Sequence, residues 1–229
     1  VNATGTLNFL EVARESGAHV VFSSSSSVYG RNMQLPKDES MWLGPMTPYA
    51  ASKLAGEGYV QAYASAYNVP TTLLRFFNVF GPRQRPDHEY AAVLPKWIWL
   101  AMQGNPIEVY GDGTASRDFT YIDDVVDNTL SLLQDLILRD ESFSDIVNIG
   151  GGRPLDMNYL IGLISKKGSN NLDLIKANES KYDSRITMAD NSYLKSILGD
   201  LKFTDLEQGV ERLMSWASQE NIKPNLGEW

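Results

Sequence analysis

The chain has 229 residues, enough for one large domain or one domain with a small appendage, and its 43% hydrophobic content allows a sizeable core and argues against wholesale disorder. Lys plus Arg total 20 against 28 for Asp plus Glu, a net charge of −8, so the basic stripe that a nucleic-acid binder needs is missing. The absence of cysteine removes disulfide frameworks, cysteine nucleophiles and thiolate metal sites and fits a reducing cytoplasm, and no stretch approaches the roughly 18–20 apolar residues of a membrane span.

The opening segment reads as a helix rather than a signal peptide, because Glu11, Arg14 and Glu15 interrupt it. Ala3, Leu7 and Leu10 recur at helical spacing, widened by Phe9, Val12 and Ala13, and Gly17 is the expected stop. No capping residue precedes Ala3, so the helix reads as cut into and the sequence as a fragment. HVVFSSSSSVYG, from His19 to Gly30, predicts a buried strand running into a serine-rich loop. A loop rich in Pro, Gly and charge reaches Pro48, and a helix is expected from Tyr49 to Tyr67. PTTLLRFFNVFGP predicts another buried strand, ended by Gly81 and Pro82. Helix, strand, helix, strand with short loops is the pattern of a doubly wound α/β sheet.

After Gly81 the texture changes. A helix from about Tyr90 to Met102 precedes the strand PIEVYG, a Gly/Asp turn and a short strand that passes into a helix in RDFTYIDDVVDNTLSLLQDL. DIVNIGGG reads as a strand ending in a glycine turn, Pro154 to Lys167 as a helix, and Asp205 to Ser218 as an amphipathic helix. Asp123, Asp124 and Asp127 suit the start of a helix, where carboxylates meet the dipole. Trp97, Trp99 and Trp216 read as core or interface anchors. His19 and His88 lack spaced partners, so no metal site is expected.

The chemistry concentrates in Tyr49-Ala50-Ala51-Ser52-Lys53. Positions four apart share a helix face, so phenol and ammonium can address one spot. A phenol with a pKa near ~10 is a poor base at neutral pH, and a nearby cation favours its phenolate, which suits removal of a proton from a hydroxyl undergoing oxidation. The bland reading is a surface pair worth a few tenths of a kcal/mol. The serine loop argues for more, since ligands in open α/β sheets bind at the carboxyl ends of strands, where a hydroxyl can pass a proton between substrate and phenolate.

SSSSSVYG, PYAASK, LRFFNVFGPRQ and VYGDGTASRDFTYIDDVV follow one another in the motif order of the extended short-chain dehydrogenase/reductase family, and the chain most resembles its NAD-dependent nucleotide-sugar 4-epimerases. The resemblance covers nearly the whole chain. It implies the C-terminal part of a doubly wound parallel (Rossmann) sheet with a smaller α/β substrate-binding domain, the first βα units missing. Residues 1–82 and about 113–150 would belong to a partial NAD-binding domain and most of 83–229 to the nucleotide-sugar side. It implies catalytic roles for Ser25, Tyr49 and Lys53 with Ser26 and Ser27 as helpers, and contacts to NAD from Ser24, Tyr49, Lys53 and Phe77. Asn78 and Arg117 would hold the substrate diphosphate and Tyr110 would stack on the base, with Val93, Asp183 and Thr187 completing the UDP-sugar site. NAD would take the hydride from carbon 4 while Tyr49 takes the proton, and the hydride would return to the other face of the 4-keto sugar. A homodimer through the helices at Val1–Ser16 and Tyr49–Tyr67 is implied for the full-length protein, with no nucleic-acid or membrane partner.

Two departures stand out against that family. The glycine-rich strand–turn–helix that receives the pyrophosphate of NAD is absent from these residues. Relatives also place Arg three residues before the residue aligned with Asp183; here Ser180 stands there, and Lys181 offers a point charge without a bidentate contact. Related 4,6-dehydratases and decarboxylating enzymes carry a carboxyl group just before Val-Tyr-Gly, whereas Ser26-Ser27 supplies none, which disfavours elimination. YAAVLPKW and Thr187, a small residue in place of a pocket tyrosine, resemble the group acting on UDP-N-acetylhexosamines and their uronic acids; plain UDP-glucose/galactose is the alternative. A dehydratase or reductase of the same family, and a non-catalytic nucleotide-sugar-binding remnant, are the other readings.

Overall fold

The computed structural model describes residues 2–86, 92–138, 144–168, 172–178 and 184–219. In chain order the elements are α1 (Asn2–Ser16), β1 (Val20–Ser25), a single 3-10 turn (Ser26–Val28), α2 (Pro48–Tyr67), β2 (Thr71–Phe76), β3 (Val79–Phe80), α3 (Val93–Met102), β4 (Ile107–Tyr110), β5 (Ser116–Asp118), β6 (Thr120–Tyr121), α4 (Ile122–Leu138), β7 (Ser144–Ile149), β8 (Pro154–Asp156), α5 (Met157–Gly168), β9 (Leu174–Ala177), α6 (Ser192–Leu198) and α7 (Leu206–Gln219). Gly17, at φ +68°, closes α1 in the left-handed conformation that glycine adopts without steric cost. Thr47 caps α2 by accepting from the Ala50 N–H at 3.1 Å, and Pro48 takes the first helical position, where its missing N–H costs nothing.

The principal sheet is parallel, in the order β1-β2-β7, with Phe22 beside Leu73 and Leu73 beside Ile146. Successive strand residues face opposite sides. Leu73 therefore packs with Leu10, Ala13, Val60 and Tyr63 from α1 and α2, while Leu74 packs with Val125 and Leu132 of α4 and Leu194 of α6. Helices cover both faces, which is why β2 is buried from Thr71 to Arg75 without alternation, its polar residues included. This is the expected doubly wound α/β arrangement. A further core forms around Leu94, Trp97, Ile98, Leu160, Ile164 and Leu213 of α3, α5 and α7. Trp97 and Trp99 are buried and Trp216 packs at the edge of that core, so all three are core residues. Among the described residues no helix is long and apolar enough to cross a membrane.

Several elements differ from the expectation. PTTLLRFFNVFGP is not one strand: the chain leaves the sheet at Phe77 and Asn78, the latter at φ +32°, before β3 pairs with β6. Pro154–Asp156 begins no helix but pairs antiparallel with β5, Leu155 opposite Arg117, so tertiary pairing overrides the helix-start signal. Strand β9 gave no readable alternation because Leu174 and Ile175 are both exposed, its order coming from parallel pairing with β4. Helix α6 is only seven residues long, too short for periodicity to mark. Tyr90, at the start of the expected third helix, and His88 lie outside the described residues.

The loop after β1 depends on Gly30. Its φ is +41°, and a Cβ there would lie 2.0 Å from the Gly44 carbonyl oxygen. Gly30→Ala is expected to cost about 1–3 kcal/mol, read as a lower urea midpoint with unchanged slope.

Candidate active site

The carboxyl ends of β1 and β2 open on a cleft of about 430 Å³. One side is the serine loop. Ser25 takes extended geometry as the cap of the 3-10 turn, and its Oγ accepts from the Ser27 N–H at 3.2 Å and the Ser27 hydroxyl at 3.0 Å. Ser25, Ser26 and Ser27 all line the cleft. Ser24 lines it too, but its hydroxyl points away, donating to Glu57 Oε1 at 2.5 Å.

Tyr49, in the first turn of α2, is 48% exposed and edges the same cleft. One turn on, Lys53 Nζ lies 5.8 Å from the centroid of the Tyr49 ring and donates to the Ser23 carbonyl at 2.8 Å. Burial lowers the Lys53 ammonium below the usual lysine range. Lys53 does not line the cleft itself; it stands behind Tyr49, against Phe22.

The opposite side comes from the β2–β3 break and from β5. Phe77 is fully buried with its surface on the cleft. Asn78 Nδ2 donates to Thr187 Oγ1 at 2.9 Å and to the Asp118 carbonyl at 3.2 Å. Arg117 lines the cleft, its Nη1 donating to the carbonyls of Ser116 at 2.9 Å and Arg185 at 3.2 Å. Ser24, Ser25, Ser26, Tyr49, Phe77, Asn78, Arg117 and Thr187 thus meet around one cavity although they are scattered through the sequence. Val93 and Tyr110 do not line this cavity. Val93 packs against the core of α3, with Ala92 facing the cleft instead, and Tyr110 is exposed with its hydroxyl donating to Glu108 at 3.0 Å. Asp183, Ser180 and Lys181 lie outside the described residues.

Sequence reasoning passed over Lys37, Met46, Thr47 and Ser184, which also line the cleft. Thr47 was readable from Thr-Pro before the helix; Lys37 carried no local signal, since it reaches the cleft only through backbone pairing with residues 188–190. A buried polar relay under the serine loop was also missed. Glu57 pairs with Arg75 at 2.8 Å, Arg75 Nη1 donates to the Tyr29 hydroxyl at 3.0 Å, and that hydroxyl donates to Asn148 Oδ1 at 2.8 Å. Glu57 lies four residues beyond Lys53, on the face of α2 that carries Tyr49, so the helix holds β1 through the Ser23 carbonyl and the Ser24 hydroxyl in succession.

A doubly wound parallel sheet whose strand ends carry a serine loop, with a Tyr and a Lys four apart on the next helix, defines a protein of the short-chain dehydrogenase/reductase class. The chain belongs to the NAD dependent epimerase/dehydratase family, whose profile matches residues 1–150. It is 35% identical over 225 residues to a UDP-glucuronate 4-epimerase of Thermodesulfobacterium geofontis, covering 97% of this chain and 66% of that protein. Among solved structures, it resembles a UDP-N-acetylglucosamine 4-epimerase from Methanobrevibacter ruminantium in complex with UDP-N-acetylmuramic acid, with a TM-score of 0.87 and 30% identity over 96% of this chain and 69% of that one. It also resembles the UDP-glucuronic acid 4-epimerase of Bacillus cereus in complex with UDP-glucuronic acid and NAD, with a TM-score of 0.86 and 28% identity over 96% and 68%. The chain spans about two thirds of the length of these relatives.

Proposed function

We propose that these residues form the catalytic and UDP-sugar-binding part of a cytoplasmic, NAD-dependent enzyme that inverts carbon 4 of a UDP-sugar through a transient 4-keto sugar. The observation that carries this reading is the composition of one cleft wall against the other. Hydroxyls from Ser25, Ser26 and Tyr49 face Asn78 and Arg117 across a cavity to which the described residues bring no carboxylate. That set suits proton exchange with a sugar hydroxyl beside a diphosphate; it does not suit elimination of water, which needs a carboxyl acid and base.

In this reading Tyr49 takes the proton from the carbon-4 hydroxyl and gives it back after the ketone has turned. The Lys53 charge stabilises the oxyanion that develops on the phenol. Ser25, held open by its two Ser27 donors, relays the proton between sugar and phenol. The residues present fit NAD: Lys53 and Tyr49 offer polar contacts to a ribose, and the buried Phe77 offers an apolar flank. When bound, NAD supplies the hydride acceptor. Asn78 and Arg117 would contact the diphosphate, and the exposed Tyr110 ring would stack on uracil. Thr187 turns its hydroxyl into the wall, toward Asn78 and the Asp118 N–H at 3.0 Å. The space a tyrosine ring would fill is thereby left for an N-acetyl group, which favours UDP-N-acetylhexosamines and their uronic acids over plain UDP-glucose. Phe9 and Val12, 65% and 64% exposed on α1, support a homodimer through α1 and α2.

These residues contain no glycine-rich dinucleotide loop, so the 229-residue chain alone is expected to bind UDP but to turn over no UDP-sugar. Titration with UDP and an overnight incubation with NAD and UDP-GlcNAc, read by NMR, test both statements. Failure to bind UDP overturns the reading; epimerisation by the chain alone overturns the division of labour between the two parts.

A further inference from the structure

A buried carboxylate just behind the cleft has no place in the chemistry above. Asp118, at the end of β5, is fully inaccessible to solvent. Its Oδ2 accepts from the Ala189 N–H at 2.7 Å and from the Gly152 N–H at 3.1 Å. Its own N–H donates to Thr187 Oγ1 at 3.0 Å, and its carbonyl accepts from Asn78 Nδ2 at 3.2 Å. The residue therefore binds β5, the glycine turn after β7, the segment carrying Thr187 and the break carrying Asn78.

The Gly150–Gly152 run takes its meaning from this knot. A Cβ at Gly150 would lie 2.5 Å from the Ala189 Cβ and 3.0 Å from Asp118 Oδ2, and one at Gly151 would lie 2.8 Å from the Phe119 carbonyl and 3.0 Å from Asp118 Oδ1. Only glycine lets the turn close on the carboxylate. Asp118 makes no surface of the cleft, and its backbone N–H and carbonyl meet Thr187 and Asn78, which do. Its carboxylate acts on the same wall from behind, fixing the Ala189 N–H two residues beyond Thr187 and the Gly152 N–H across from β5.

We propose that Asp118 is a positioning residue for phosphate recognition, holding Arg117, Asn78 and Thr187 in the one arrangement that receives the diphosphate of a UDP-sugar. The inference rests on the functional reading above. It separates Asp118 from a general structural role, because misplacing that wall weakens contacts to phosphate and leaves contacts to the uridine intact.

The test is NMR titration of the full chain with UDP and, separately, with uridine. For the Asp118→Ala variant, with its folding checked by circular dichroism and a melting transition, the UDP affinity falls by about tenfold or more, the value of one charge-assisted hydrogen bond. Its uridine affinity stays within about twofold, the spread expected where no contact is lost. Asp118→Asn, which keeps an oxygen for the two N–H groups, recovers most of the loss. If Asp118→Ala does not fold, Asp118→Ser decides, since its shorter side chain cannot reach both the Ala189 and Gly152 N–H groups; the same selective loss for UDP is expected. A folded variant that binds UDP as the wild type does, or that loses UDP and uridine in equal measure, overturns the inference alone. A wild-type chain that binds no UDP overturns the functional reading and the inference with it.

Discussion

Replacing Tyr49 by Phe is expected to lower kcat for carbon-4 inversion by about 10²–10⁴-fold, or roughly 3–5 kcal/mol of barrier. The assay requires a protein that joins these residues to a dinucleotide-binding segment. The ring is retained and only the hydroxyl is lost, so packing at the start of α2 is unchanged and KM moves by no more than a few-fold. A loss in kcat without a matching loss in KM is the signature of an interaction made in the transition state. Tyr49 edges the cleft beside the serine loop, with the Lys53 ammonium 5.8 Å from its ring centroid. A Tyr49→Phe enzyme of normal kcat would remove the phenol from the reaction and with it the assignment of the site.

The largest effect on stability is expected at Glu57. Its side chain and that of Arg75 are each 2% exposed, and the pair is bidentate, with Arg75 Nε on Oε1 at 3.0 Å and Nη2 on Oε2 at 2.8 Å. Glu57→Ala leaves a buried guanidinium and the Ser24 hydroxyl without their acceptor, and a broken buried pair costs about 3–5 kcal/mol. Removing both charges together, with Glu57→Leu and Arg75→Met, is expected to cost less than either single change, because no orphaned ion remains. Urea denaturation of the single and double variants measures this cycle. A Glu57→Ala cost below about 1 kcal/mol, the range of an exposed pair, would show that the relay carries no such weight.

The parts of the fold with a local signature were legible in the sequence. The α1, α2 and β1 segments have helical spacing, a glycine stop and a β-branched run, and the structure places them within a residue or two of the expectation. The apolar run in β2 was legible as well, but its end was not. The strand keeps its last sheet bond from the Phe77 N–H to the Ile149 carbonyl at 3.0 Å, a partner distant in the chain, and turns away at Asn78, at φ +32°. Strands β8 and β9 likewise exist only through pairing with β5 and β4.

The cleft divides in the same way. Tyr49, Lys53 and the serines could be singled out by spacing and by position at a strand end. Asn78, Arg117 and Thr187 came from the resemblance to a family, and the structure brings them onto the same cavity. Glu57, Arg75 and Asp118 escaped because a buried ionic residue looks in sequence like a surface one; only burial and partners reveal it. Gly150–Gly152 was legible as a turn, but its reason, a carboxylate that needs room for backbone, lies 34 residues away in the chain, where no local pattern records it.

The most direct test of the central claim follows the hydrogen at carbon 4. A UDP-sugar carrying deuterium at that carbon is incubated with NAD and a protein containing these residues and a dinucleotide-binding segment, and the product is read by NMR. Inversion at carbon 4 with the deuterium retained there is expected, since bound NAD would supply an acceptor that does not exchange the label with water. Inversion with loss of the label to water, or no inversion at all, would contradict that claim.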